Sequence, residues 1–119
     1  MNNKKILYIE DNKDTASAVK IILDGKGFKT DLAYSGKQGI IKAKKEYDLI
    51  LLDIMLPDMS GWDIFEKLKK NKKTKFAFLS VIPVSRERMT ELRNAGVSDY
   101  ITKPFTKTEL TNRIEKILK

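Results

Sequence analysis

The chain contains neither cysteine nor histidine among its 119 residues. Without cysteine there is no disulfide framework and no thiolate metal site. Without histidine the commonest general base and the commonest zinc ligand are gone. Any chemistry must therefore run on carboxylates, hydroxyls, lysines or backbone groups. Long apolar runs are also missing: none approaches the roughly 20 residues that span a bilayer. The opening Met1-Asn2-Asn3-Lys4-Lys5 leads directly into a strand-like run, unlike a secretory signal. A soluble cytoplasmic protein with no membrane association is the expectation. Its length is that of one domain, expected to occupy residues 1–119.

Acidic residues are the minority charge, 16 against 24 Lys and Arg, for a net charge of +8. A basic balance raises the question of nucleic acid. The densest stretch is Lys67, Lys69, Lys70, Lys72, Lys73 and Lys75, at an expected helix end and the turn after it. Lysines there complement the helix dipole and remain solvated. No aromatic residues interleave with them to stack on bases, so a nucleic-acid partner is not expected.

What is present in quantity is pattern. With 41% hydrophobic and 34% charged residues, the chain has enough apolar material for a core. Short β-branched or leucine-rich runs alternate with amphipathic segments about five times. Strands are expected near Lys5–Ile9, Phe28–Leu32, Leu49–Leu52, Phe76–Leu79 and Tyr100–Thr102. Helices are expected near Asp14–Asp24, Gly36–Lys45, Gly61–Lys70, Arg86–Ala95 and Lys107–Leu118. Gly25, Gly27, Asn71 and Gly96 mark helix stops. Leu110, Ile114, Ile117 and Leu118 make one stripe on the last helix, and Trp62 and Phe65 are expected in the core. The run Leu49-Ile50-Leu51-Leu52 is apolar at every position, as in a strand covered on both sides. Repeated βα units of this kind give an α/β fold: a doubly wound five-stranded parallel sheet with helices on both faces.

Ligands of such sheets gather beyond the carboxyl ends of the strands. The residues expected there are Glu10 and Asp11, Asp53, Ser80 and Lys103. Each has a bland explanation alone, as a cap, turn residue or solvated charge. Together they place three acids, a hydroxyl and an ammonium on one rim, where the acids repel unless a cation compensates. All-oxygen donors suit Mg²⁺.

The residues Asp53-Ile54-Met55-Leu56-Pro57-Asp58-Met59-Ser60-Gly61 resemble the D-x-M-x-P-x-x-x-G signature of response-regulator receiver domains. Asp99-Tyr100-Ile101-Thr102-Lys103-Pro104-Phe105 is similar to that family's fifth-strand signature. Glu10-Asp11 stands where the family carries its acidic pair, and the likeness runs from Lys5 to Leu118. The resemblance implies a flavodoxin-like (βα)5 fold and a phosphoacceptor, Asp53, that forms an acyl phosphate. It implies Mg²⁺ held by Asp11, Asp53 and the backbone carbonyl of Met55, with Glu10 acting through water. Lys103 would pair with the phosphoryl group ahead of a cis bond to Pro104. Ser80 would be the switch hydroxyl and Tyr100 the switch aromatic. The output surface would be the fourth helix, fifth strand and fifth helix.

Partners by resemblance are a sensor histidine kinase or a histidine phosphotransfer protein, since the chain has no histidine of its own, and a downstream protein target. The expected assembly is a monomer or a weak phosphorylation-dependent dimer. No output domain is expected within residues 1–119, where no helix-turn-helix or zinc module is recognisable. The chain is not expected to be an enzyme beyond self-phosphorylation from a donor and autodephosphorylation.

Two features depart from the family pattern. Ser80 lies one residue farther from Lys103 than usual, which places an extra residue in the loop around Pro83. Val81 stands where a small residue is usual and narrows access to Asp53. Met55 and Ile82 are apolar at positions that flank the attacking water, which favours a long-lived acyl phosphate. Three rival readings are weaker. A phosphohydrolase with an aspartyl-phosphate intermediate needs a second aspartate where Met55 stands. Neither Gly36-Lys37-Gln38 nor Gly25-Lys26-Gly27 completes a nucleotide-binding loop. A phosphorylation-independent interaction module on the same fold is opposed by the intact Glu10, Asp11, Asp53 and Lys103.

Overall fold

The structure, a computed structural model, describes residues 3–70 and 73–119; Met1, Asn2, the expected helix stop Asn71 and Lys72 lie outside the described residues. Five strands and five helices alternate: β1 (Lys5–Ile9), α1 (Lys13–Asp24), β2 (Lys29–Ala33), α2 (Gly36–Lys42), β3 (Leu49–Leu52), α3 (Gly61–Leu68), β4 (Lys75–Ser80), α4 (Arg86–Asn94), β5 (Val97–Thr102) and α5 (Lys107–Ile117). The strands form one parallel sheet in the order β2-β1-β3-β4-β5. This is the expected doubly wound architecture.

Strand alternation divides the core in two. Leu7, Ile9, Ile50, Leu52, Phe76 and Phe78 face one layer, closed by Ile64 and Phe65 of α3 and Leu92 of α4. Ile6, Tyr8, Leu49, Leu51, Ala77 and Leu79 face the other, closed by Val19 and Leu23 of α1 and by Leu110, Ile114 and Ile117 of α5. Every residue of β3 is buried, so an unbroken apolar run is what a strand between two helical layers requires. Trp62 and Phe65 pack as expected: the Trp62 ring lies 4.4 Å from Phe78, and Phe65 meets Phe76 edge-on at 5.3 Å.

Each described helix starts on a side-chain oxygen that caps an amide: Asn12, Ser35, Ser60, Ser85 and Thr106 in turn. The last is a full capping box with Glu109. Helix ends are less legible. α2 stops at Lys42 and α3 at Leu68, short of the expected Lys45 and Lys70, because lysine continues a helical pattern without needing to be in the helix.

The largest departure is β5, which begins at Val97 rather than Tyr100. Phe76 lies opposite Val97 but Ala77 lies opposite Asp99, leaving Ser98 as the extra residue of a β-bulge. The bulge reverses the alternation, so Val97 and Tyr100 share a face although three positions apart. A polar Ser98-Asp99 pair with broken alternation does not look like a strand.

Phe78 is fully buried and touches Trp62, Phe65 and Tyr100. Phe78→Ala is expected to lower unfolding free energy by about 3–5 kcal/mol in urea titration. A loss under about 1 kcal/mol would mean that the core is not organised around this ring.

Candidate functional site

Parallel pairing brings the ends of β1, β3, β4 and β5 to one rim. Glu10 leaves β1, its amide bonded to the Ala33 carbonyl at 2.9 Å. Asp53 leaves β3, its amide bonded to the Ile9 carbonyl at 3.1 Å. The Lys103 amide donates to the Ser80 carbonyl at 2.8 Å, joining the ends of β4 and β5. The ladder itself therefore fixes the backbone from which these side chains project.

Carboxylate oxygens of Glu10, Asp11 and Asp53 lie within 4.8 Å of one another. Glu10 and Asp53 are buried, while Asp11 is exposed. Lys103 is the local counter-ion: its Nζ bonds Glu10 Oε1 and sits 3.7 Å from Asp53 Oδ2. Glu10 also accepts from the Tyr8 hydroxyl at 2.9 Å and the Asn12 amide at 3.1 Å. Burial would raise the Glu10 carboxyl, but the bonds from Lys103, Asn12 and Tyr8 outweigh it and hold its pKa below the ordinary value. Asp53 goes the other way. Burial pushes it up to about 6, with the Glu10 charge adding to the rise and Lys103 opposing it. Burial also raises the Tyr8 hydroxyl, so it stays a donor to Glu10.

One lysine against three acids leaves the rim negative. The donors are all hard oxygens, which is the set that suits a divalent cation such as Mg²⁺ and not a thiophilic metal. The Met55 amide donates to Asp53 Oδ1 at 3.2 Å. Met55 also faces Ser60 in an isolated antiparallel bridge, closed by the Gly61 amide on the Ile54 carbonyl at 2.9 Å. That bond uses the Ile54 carbonyl rather than the one on Met55.

The loop between Asp53 and α3 is held at several points. A Cβ on Gly61 would stand 2.4 Å from the Asp53 carbonyl oxygen, so only glycine allows this approach. Asp58, which sequence reasoning passed over, accepts from the Gly36 and Lys37 amides at 2.8 Å each. It caps the start of α2 from a distant loop, and these two bonds hold its pKa below the ordinary carboxylate value. No local motif marks that role, because the cap is 22 residues away from the amide it serves.

Ser80 is the last residue of β4 rather than the first after it, and it is fully buried. Its Oγ accepts from the Ile82 amide at 3.2 Å, while the Tyr100 hydroxyl donates to the Ile82 carbonyl. The two expected switch residues thus hold the same peptide segment from opposite polar groups. Val81 and Met55 are 63% and 62% exposed, so neither side chain is a packed wall over Asp53. The Lys103–Pro104 bond is cis, as the resemblance implied.

The raised Asp53 carboxyl has a consequence for stability. Folding favours its protonated form, so that contribution is fully present below about pH 4 and is lost as pH rises through about 6. Asp53→Asn removes the buried charge. In cation-free buffer at neutral pH it is expected to stabilise the fold by about 1–3 kcal/mol. The gain should shrink as pH falls from about 6 towards 4. Thermal unfolding of both proteins across that window checks it, and a pH-independent difference would contradict the charge argument.

Comparison with known proteins agrees with this architecture. The family model for the response regulator receiver domain matches residues 6–115. Response regulator ArlR of Staphylococcus saprophyticus is 35% identical over 116 residues, covering 97% of this chain and 52% of that protein. Transcriptional regulatory protein CusR of Escherichia coli is 39% identical over 117 residues, covering 97% and 51%. The chain therefore spans about half the length of these relatives. Among solved structures, a receiver domain protein from Methanospirillum hungatei superposes with a TM-score of 0.87 at 31% identity, covering 98% and 94% of the two chains. Response regulator TrrA of Thermotoga maritima, solved with Mg²⁺ and BeF, gives 0.82 at 27% identity, covering 97% and 99%. With the sheet order, the acidic rim and these matches in agreement, the chain belongs to the response-regulator receiver domains of two-component systems.

Proposed function

We propose that this receiver accepts a phosphoryl group on Asp53 from a phosphohistidine donor, in a Mg²⁺-dependent reaction, and changes its α4–β5–α5 surface in response. The observation that carries the reading is the meeting of Glu10, Asp11 and Asp53 within 4.8 Å, with Lys103 reaching both buried acids. Asp11, Asp53 and the Met55 carbonyl would hold the ion directly and Glu10 through water. When bound, it would offset the acids' charge and that of the transferred phosphoryl group. The donor set on this rim fits that ion.

Asp53 then acts as nucleophile. One of its carboxylate oxygens bonds to phosphorus as the bond from phosphorus to the donor's imidazole nitrogen breaks, leaving an acyl phosphate. Lys103 neutralises phosphoryl charge, and the Ser80 hydroxyl donates to a phosphoryl oxygen. To do so Ser80 gives up its bond from the Ile82 amide. Tyr100, which holds the other side of that peptide, is then free to reorient with the loop into α4. The change is a shift between two packings, driven by contacts that only the phosphorylated form makes.

The donor is a sensor histidine kinase or a histidine phosphotransfer protein, and the chain itself is a substrate and switch rather than an enzyme. A cytoplasmic setting suits this role. No described helix is long and apolar enough to cross a membrane. A phosphorylation-independent module on this fold is not favoured, since Glu10, Asp11 and Asp53 are all present within 4.8 Å of one another, with Lys103 reaching both buried acids.

Incubation with acetyl phosphate and Mg²⁺ is expected to add the mass of one phosphoryl group to the wild-type chain. Asp53→Asn should add none, and a chelator should abolish the addition. Trp62 fluorescence is expected to change on Mg²⁺ addition, with weaker affinity below about pH 6, where Asp53 protonates. Unmodified wild-type protein under these conditions would refute the proposal. Val81→Ala is expected to take up the group from acetyl phosphate at the wild-type rate, since the exposed Val81 side chain is not packed over Asp53; a faster rate would show that it is a barrier after all.

A further inference from the structure

The basal end of the α4–β5–α5 face, remote from the acidic rim, carries a second charged site. A hollow of about 310 Å³ opens there, lined by Lys75, Arg93, Arg113, Lys116, Ser98, Asp99 and Ile117. It lies at the lower end of the volumes found for small-molecule sites. Four cationic side chains thus share one carboxylate.

That carboxylate is already spoken for. Arg113 donates from Nε to Asp99 Oδ2 at 2.8 Å and from Nη2 to Asp99 Oδ1 at 2.6 Å, a two-pronged pair. Its Nη2 also reaches the Tyr100 carbonyl at 3.1 Å. The guanidinium is therefore oriented in advance and loses little freedom on accepting a further anion. Lys75, Arg93 and Lys116 have no ion pair among the described residues. Like charges gathered around a concave surface repel one another, and an anion of more than one charge relieves them together. The Ser98 bulge contributes a further polar group, because the residue it adds lies outside the regular pairing with β4.

From this placement we infer that the hollow between the ends of α4, β5 and α5 binds a small multivalent phosphate anion, of the pyrophosphate class. The site would be independent of Asp53. Arg113 and Arg93 supply planar donors that match phosphate oxygens, while Lys75 and Lys116 supply mobile point charges. No aromatic side chain lines the hollow to offer a face to a base, so the ligand is recognised through its phosphates. Through Arg113 the site contacts the backbone of Tyr100, which links its occupancy to β5.

The test is calorimetric titration of the chain with sodium pyrophosphate in low-salt buffer free of divalent cations. Saturable one-to-one binding is expected, at least tenfold tighter than for inorganic phosphate and weakened by added salt. The double variant Arg93→Ala with Lys116→Ala should lose at least tenfold in affinity while still accepting a phosphoryl group from acetyl phosphate. Asp53→Asn should bind pyrophosphate as wild type does, which separates this site from the acceptor rim. Absence of binding, or equal binding by the double variant, would overturn the inference. So would either of two findings with the same variants: loss of a self-associated state in sedimentation with no change in pyrophosphate affinity, or loss of duplex DNA binding that is tighter than pyrophosphate binding. The first would assign the hollow to a second copy of the chain, the second to nucleic acid.

Discussion

Two buried carboxylates and one ammonium hold this molecule's function in tension. Glu10 and Asp53 are both nearly closed to solvent, and Lys103 reaches both. A single positive charge cannot satisfy two buried negative ones equally. Glu10 takes the stronger share, with Tyr8 and Asn12 adding donors, and Asp53 is left with the deficit. Burial acts to raise both acids; the added donors hold Glu10 ionised in spite of it, while Asp53 is pushed up towards neutrality. The acid with the deficit is the one positioned to gain from a cation and from covalent change. The fold has to be rigid enough to keep this arrangement from relaxing, and the ladder bonds that fix the backbone of Glu10, Asp53 and Lys103 provide that rigidity.

Much of this was legible in the sequence, for identifiable reasons. β3 shows itself through Leu49-Ile50-Leu51-Leu52, since burial on two sides leaves no polar position. Once a parallel sheet is inferred, the residues after each strand must share a rim, so Glu10, Asp11, Asp53 and Lys103 could be grouped without any coordinates. What stayed hidden depends on geometry between distant segments. The start of β5 was missed because the bulge at Ser98 breaks the alternation that marks a strand. Asp58 was passed over because its partners, the Gly36 and Lys37 amides, belong to another helix. Ser80 stands out in the sequence by its place at the end of a strand, yet its tie to Ile82, shared with Tyr100, cannot be read from spacing. The division of Lys103 between two acids was equally invisible, because it depends on distances of a few ångströms.

The basic character of the chain also looks different in three dimensions. In a parallel sheet the strands all begin at one end, and the helices that return the chain finish there. Lysines at helix ends and strand starts, such as Lys26, Lys29, Lys69 and Lys75, therefore collect at the end opposite the acids. A solvated, dipole-complementing role accounts for most of them. Lys75, together with Arg93, Arg113 and Lys116, is different only because the chain folds them around a hollow.

Asp58 fixes more than a helix start. The segment from Asp53 to Gly61 is anchored by the sheet at one end, by the close approach of Gly61 to the Asp53 carbonyl at the other, and by Asp58 to α2 between them. Three anchors leave no slack, so this stretch cannot gain or lose a residue without releasing one of them. An inserted residue is therefore accommodated more easily in a connection such as 43–48, which carries none of these anchors, than in the stretch beside Asp53.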